Sequence, residues 1–177
     1  NMSYPAFTDL NTYIERANTA FNAWRKADVH TRAGVLADAL ERMKGRFFEL
    51  ANATMHTTGQ SFVMSFQASG PHSNDRALEA IALGLSEQTR FPAEVDWEKP
   101  MGKDKEGNPM SVKLKKYYRN EPIGLSLAIG CSTFPIWNTA PGMFASLITG
   151  NPVIAKPHPQ VVYPLAILVD ELQQAMK

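Results

Sequence analysis

Ile123-Gly-Leu-Ser-Leu-Ala-Ile129 and Pro152-Val-Ile-Ala-Lys156 are two short apolar runs. Between them, Asn138 to Thr149 carries Met143, Phe144, Leu147 and Ile148 at helical spacing. Runs this short and this continuously apolar fit strands buried on both faces. Gly130-Cys131-Ser132-Thr133 leaves the first run as a small-residue loop, and Gly150-Asn151 closes the helix with a residue suited to positive φ. Pro157-His158-Pro159 stops the second run, and Val162 to Lys177 then puts Leu165, Leu168, Val169, Leu172 and Met176 on one side. Strand, helix, strand and helix with short connections predict a parallel, right-handed βαβ unit over residues 122–177.

Working outward, residues 1–90 read as helices. Thr8 or Asp9 caps a run with Leu10, Ile14, Ala17, Phe21 and Trp24 on one stripe. His30 and Thr31 precede a second run with Ala33, Leu36, Leu40, Met43 and Phe47, which Gly45 weakens before Phe48, Leu50 and Met55 continue it. Thr57-Thr58-Gly59 stops that run. After Ser69-Gly70-Pro71, Asn74 or Asp75 caps a helix with Leu78, Ile81, Ala82 and Leu85. Residues 91–121 differ: Phe91 to Pro109, rich in Pro, Gly and charge, reads as a solvated loop or long hairpin tip. Met110 to Arg119 alternates as a strand with one wet face. Its Lys113-Leu-Lys-Lys-Tyr-Tyr-Arg119 run is a lysine-guarded edge in preference to a nucleic-acid strip.

Composition narrows the classes. The 177 residues are 44% hydrophobic and 20% charged, with a net charge of +1, so no general electrostatic case for nucleic acid arises. One cysteine excludes an internal disulfide and any multi-cysteine zinc site, and no other metal-ligand spacing stands out. No apolar run approaches the roughly 18 residues that span a bilayer. Asn1-Met2-Ser3-Tyr4-Pro5 lacks the basic and apolar segments of a signal peptide, so the expected address is cytoplasmic. The expected fold class is α/β: N-terminal helices followed by the start of a Rossmann-like parallel sheet that is incomplete as it stands. In such a sheet ligands bind beyond the carboxyl ends of the strands, which here are the loops after Ile129 and Lys156. The G-x-G-x-x-G fingerprint is absent, since Gly124 and Gly130 bracket the first strand instead.

Three further stretches carry a resemblance. Glu121-Pro122-Ile123-Gly124, then Ile129-Gly-Cys-Ser-Thr-Phe-Pro135, then Ser146-Leu-Ile-Thr-Gly-Asn-Pro-Val-Ile-Ala-Lys156-Pro157 resemble the aldehyde dehydrogenase superfamily. Phe21-Asn-Ala-Trp24, Arg32 and Thr58-Gly59-Gln60 fit its upstream helices, so the likeness covers nearly the whole chain. The loop from Cys131 to Asn138 looks most like the phenylacetic acid degradation protein (PaaN) branch. The resemblance implies residues 1–90 as the helical opening of the cofactor domain, 91–121 as a hairpin of oligomerisation type, and 122–177 as the start of the NAD(P)-binding sheet. It implies an enzyme in which a cysteine thiolate attacks an aldehyde, hydride passes to NAD(P)+, and a glutamate assists thioester hydrolysis.

Residue by residue, the resemblance makes Lys156 the lysine that bonds the adenosine ribose or a 2′-phosphate, a task suited to a cation at a strand end. Without the surrounding motif, Lys156 reads as a solvated strand-end lysine. Three residues on, where the family often carries a ribose-gripping glutamate, stands Pro159. The missing carboxylate tilts the cofactor toward NADP over NAD. His158 either adds a donor there or is a loop histidine between two prolines. Pro157, Ser132 and Phe134 complete the implied cofactor surroundings. Thr133 stands where the family has an oxyanion-holding asparagine; its hydroxyl offers one donor of shorter reach, and otherwise Asn138 or a backbone N–H serves. Trp137 reads as a packing residue at the helix start. Cys131 lies at a position where the family usually has proline, so it reads as non-catalytic.

The family's nucleophilic cysteine and general-base glutamate would lie beyond Lys177, and Glu171 reads as a surface carboxylate. The chain is therefore expected to be the amino-terminal fragment of an aldehyde or semialdehyde dehydrogenase of aromatic-acid degradation, inactive alone. Its expected partners are a dinucleotide, a small aldehyde and further copies of itself as a dimer or tetramer, with no nucleic acid and no membrane. The alternative is a catalytically inactive relative serving as an assembly or regulatory subunit.

Overall fold

A computed structural model describes residues 9–177 as a mixed α/β fold. Thr8 and the Asn1–Pro5 stretch lie outside the described residues. Helices α1 (Leu10–Trp24), α2 (Val29–Lys44), α3 (Phe47–Thr58), α4 (Phe62–Ser69) and α5 (Pro71–Thr89) come first. A two-stranded antiparallel ribbon, β1 (Glu94–Lys103) and β2 (Pro109–Tyr117), follows. Then come β3 (Ser126–Ile129), α6 (Pro135–Ile148), β4 (Val153–Lys156) and α7 (Val162–Ala175). Strands β3 and β4 pair in parallel with Ile129 opposite Lys156, and α6 is the crossover between them.

Several boundaries differ from the sequence reading. His30 and Thr31 do not precede α2 but lie in its first turn, and Asp28 caps it, its carboxylate accepting from both of their N–H groups at 2.9 and 3.0 Å. The expected continuous second run is two helices, because the chain turns at Gly45–Arg46. Gly59, at φ 76°, ends α3 as read, but α4 then begins from a Ser61 cap that the sequence reading passed over. Helix α5 starts at Pro71, where proline's missing N–H costs nothing, and not at Asn74 or Asp75. Instead, Asn74 is buried and donates to the Leu40 carbonyl at 2.8 Å.

The expected loop from Phe91 to Pro109 is mostly β1, and only residues 104–108 form the tip. There the Asp104 side chain accepts from the Glu106 and Asn108 N–H groups. The ribbon also lacks the single wet face expected of it, since nearly every residue on both faces is exposed. The β3–β4 pair is likewise less buried than its composition implied: Leu127 and Ile129 are 60% and 62% exposed on the outer face.

The core lies between the helices. Leu36, Leu40 and Met43 of α2 meet Phe144 and Ile148 of α6 and Leu165 and Leu168 of α7, with Ala77 and Ile81 of α5 closing the side. Glycine lets α5 and α6 approach closely, for a Cβ on Gly84 would lie 2.5 Å from the Ile148 side chain. Arg46 bridges α3 to α7 by pairing with Glu49, Asp170 and Glu171, and the Tyr163 hydroxyl donates to Glu49 at 2.6 Å. Glu171 is thus a largely buried ion-pair partner of Arg46 and not a free surface carboxylate. Its neighbour Glu49 is held below the usual carboxylate pKa, chiefly by its hydrogen bonds from Arg46.

The strongest polar tie is buried. Arg32, 7% exposed, donates through Nε to the Ile148 carbonyl at 2.9 Å, through Nη1 to the Ala27 carbonyl at 2.5 Å and through Nη2 to Gln88 Oε1 at 2.9 Å. Burial draws its pKa below the ordinary guanidinium value, and the Asp28 carboxylate opposes that shift. Trp24 Nε1 donates to the Leu147 carbonyl at 2.8 Å, and Gln88 Nε2 to that of Ile148 at 3.1 Å. The carbonyls left open at the end of α6 are satisfied from three other elements. Arg32→Met should lower the unfolding free energy by about 2–3 kcal/mol in urea denaturation, because it strands buried acceptors. A change below roughly 0.5 kcal/mol, the range of an ordinary surface substitution, would show that Arg32 does not clamp the end of α6.

Candidate functional site

Two loops leave adjacent strand ends. The Gly130 N–H donates to the Lys156 carbonyl at 2.9 Å, so residues 130–134 and 157–161 start side by side. Gly130 is buried, and a Cβ there would lie 2.5 Å from Thr139 Oγ1 on α6. Thr139 is itself engaged, donating to the Pro135 carbonyl at 2.6 Å. Behind the loops, Asn151 accepts the Gly124 N–H at 2.8 Å through Oδ1 and donates to Thr149 Oγ1 at 2.9 Å. The Gly150-Asn151-Pro152 segment therefore joins the end of α6 to the approach of β3. Gly150 makes that turn at φ 84° beside the Arg32 guanidinium.

Lys156 is exposed at the end of β4 and pairs with no carboxylate among the described residues. Pro157 and His158 are half-buried in the following turn. His158 folds its own loop: Nδ1 accepts the Gln160 N–H at 3.3 Å, and its carbonyl accepts the Val161 N–H at 3.0 Å. Its remaining ring nitrogen, Nε2, is the one left for a ligand. Ser132 and Phe134 are half-buried, and Thr133 is exposed.

Asn138, the alternative oxyanion donor, accepts the Cys131 N–H through Oδ1 at 2.9 Å, which leaves its Nδ2 donors without a partner among the described residues. The Phe134 N–H donates to Cys131 Sγ at 3.4 Å. The thiol is thus an acceptor inside the loop, and no metal-ligating cluster of His, Cys, Asp and Glu lies among the described residues. Trp137 lies in the first turn of α6. It meets Phe134 edge-on, with centroids 5.6 Å apart, and keeps 44% of its surface exposed.

Trp137 lines a groove of about 960 Å³ between α5 and α6, with Leu83, Phe134, Pro141, Ala145 and Cys131 on its walls. The groove opens beside the loop that carries Thr133. Sequence reading missed it because it exists only where α5 meets α6. The one local signal was a glycine inside a helix, Gly84. The arrangement offers an exposed cation at one strand end, free N–H and hydroxyl donors at the next, and an apolar channel alongside. Gly130→Ala should destabilise the fold by about 1–3 kcal/mol through overpacking against Thr139. Thermal unfolding of that variant within a degree of the native chain would contradict the close approach.

The sequence profile described as the aldehyde dehydrogenase family matches residues 6–176. An NAD-dependent aldehyde dehydrogenase from Burkholderia multivorans is 44% identical, with a TM-score of 0.89 over 95% of this chain and 29% of that one. An NADP-dependent glyceraldehyde-3-phosphate dehydrogenase from Bacillus halodurans C-125, complexed with NADP, is 19% identical, with a TM-score of 0.73 over 94% of this chain and 33% of that one. A 1-pyrroline-5-carboxylate dehydrogenase from Thermus with bound NAD is 20% identical, with a TM-score of 0.72 over 93% of this chain and 29% of that one. These last two show the fold alone. The chain spans about a third or less of the length of the structures it matches.

Proposed function

This chain belongs to the aldehyde dehydrogenase family, and from that premise we propose that it forms the amino-terminal part of a cytoplasmic NAD(P)-dependent aldehyde dehydrogenase. The observation that carries the reading is the adjacency of Lys156 and the Thr133 loop at neighbouring strand ends, with the apolar groove beside them. Lys156, Pro157 and His158, with Ser132 and Phe134 across the cleft, hold the dinucleotide. Lys156 supplies the charged donor for ribose or phosphate oxygens. The residues fit that group, since the ammonium is exposed, and without an ion pair among the described residues, where hydroxyl or phosphate oxygens would arrive. A bound dinucleotide would supply the hydride acceptor, and the thiolate and base would come from segments other than this one. Thr133 offers its hydroxyl and N–H to the aldehyde oxygen. Phe134 and Trp137 suit an aromatic or semialdehyde tail, in keeping with aromatic-acid degradation of the phenylacetate type. Pro159, in place of a carboxylate, lets NADP enter without repulsion, so NADP is favoured over NAD.

Lys156→Ala in the complete enzyme should raise the KM for the dinucleotide roughly tenfold, as loss of one charged hydrogen bond would. Unchanged KM values for both NAD and NADP would reject the assignment.

The β1–β2 ribbon supports a further part of the reading. One face carries Glu94, Asp96, Lys113 and Lys115; the other carries Val95, Trp97, Val112 and Leu114, with Lys116 over the Trp97 ring at 4.1 Å. A two-stranded ribbon is marginal alone, and this one leaves Trp97, Val112 and Leu114 exposed. The apolar face docks on a second copy, giving a dimer or tetramer. The same exposed ribbon favours the second reading, an inactive relative that acts by assembly. Leu114→Glu should shift sedimentation toward monomer while leaving the fold's circular dichroism unchanged. An unaltered assembly state would rule the ribbon out as the contact.

A further inference from the structure

The loop after β3 is held from an unexpected side. Gln60, in the turn between α3 and α4, donates through Nε2 to the Thr133 carbonyl, a contact across 73 residues of chain. Its Oε1 is buried and has no hydrogen-bond partner among the described residues. A buried orphan oxygen is costly, so the amide's orientation must be fixed by its donor end. Turning it over would set two carbonyl oxygens against each other and strand the NH2 group instead.

The other end of the same peptide is also held, since the Phe134 N–H donates to Cys131 Sγ at 3.4 Å. Cys131 is in turn tied to α6 by its N–H bond to Asn138 Oδ1. One peptide unit, Thr133–Phe134, is therefore clamped at its carbonyl by Gln60 and at its N–H by a thiol. Once those bonds are made, the N–H groups and hydroxyls of Ser132 and Thr133 are the loop donors with no partner among the described residues.

We propose that Gln60 is a positioning residue that fixes the plane of the Thr133–Phe134 peptide. It thereby leaves the Ser132 and Thr133 donors facing the place where an aldehyde oxygen gains charge. The last clause rests on the dehydrogenase reading; the clamp itself does not.

The chain's single cysteine makes the clamp measurable, because every labelled thiol is Cys131. Gln60→Glu nearly preserves shape but turns the donor into an acceptor, whereas Gln60→Lys keeps a donor. With a water-soluble aromatic disulfide reagent, Gln60→Glu should label about fivefold faster than the native chain, as local opening of the loop becomes easier. Gln60→Lys should label within about twofold of native, showing rescue by a retained donor. Equal rates for Gln60→Glu and native, with circular dichroism showing both folded, overturn the clamp. In the complete enzyme, Gln60→Glu should lower kcat roughly tenfold with the dinucleotide KM within about twofold, a split that general destabilisation would not produce. Faster labelling with an unchanged kcat overturns the positioning role. A native enzyme that oxidises no aldehyde sinks the dehydrogenase reading instead, while the labelling result still decides the clamp.

Discussion

The buried guanidinium of Arg32 is the constraint on which the rest of the structure depends. It reaches the Ile148 carbonyl, the Ala27 carbonyl and Gln88 at once, joining the end of α6 to the α1–α2 turn and to α5. A helix C-terminus carries partial negative charge and unpaired carbonyls, so a cation there answers both needs. Trp24 and Gln88 complete the set. The end of α6 thus stands still, and the chain leaves it through Gly150 in a left-handed turn against that same guanidinium. With its end held, α6 has a set axis, and its other end determines where the loop from Cys131 to Phe134 lies.

That chain of dependence explains why residues matching a cofactor-binding family are largely structural in this segment. Asn151 grips the Gly124 N–H, Gly130 makes room for Thr139, and Asn138 caps the Cys131 N–H. None of these needs a ligand to be useful. Each brings two strand ends and one helix start into register, which is what a site at the carboxyl edge of a parallel sheet requires. Among the described residues, the groups left over there include an exposed ammonium, one ring nitrogen of His158, the Asn138 Nδ2 and the open donors at Ser132 and Thr133.

Much of this was legible in the sequence, and the failures have definite physical sources. The βαβ unit could be read because Gly150, Pro152 and Pro157 punctuate it with local chemistry, and Asp9 caps α1 by the same kind of rule. Burial of the strands could not, because apolar composition signals a demand for cover and not its presence: Leu127 and Ile129 are apolar yet exposed. Periodicity hides the α2–α3 break, because Phe47 and Leu50 keep the helical period across a turn. Composition hides the ribbon, because Pro and Gly in β1 look like loop, whereas Pro100 and Gly102 flank a bulge in a paired strand. The groove and the Gln60 contact depend on which helices meet, and no local pattern encodes that.

The two uncovered apolar surfaces make different physical demands. The outer face of β3 and β4 presents Leu127 and Ile129 on a sheet of only two strands, whose outer backbone groups are open to further pairing. More sheet and a covering layer satisfy it, from whatever source. The ribbon has already paired its strands, and on one face Lys115 is joined to Glu94 at 2.5 Å. It needs only a surface to lie on. A sheet face asks for continuation of a fold, and a ribbon face asks for a neighbour. If the first demand were met and the second left open, the strand-end loops would have their supporting layer while the ribbon stayed wet. The strand-end loops and the ribbon are for that reason structurally separable, although they lie on either side of the same linker at residues 118–125.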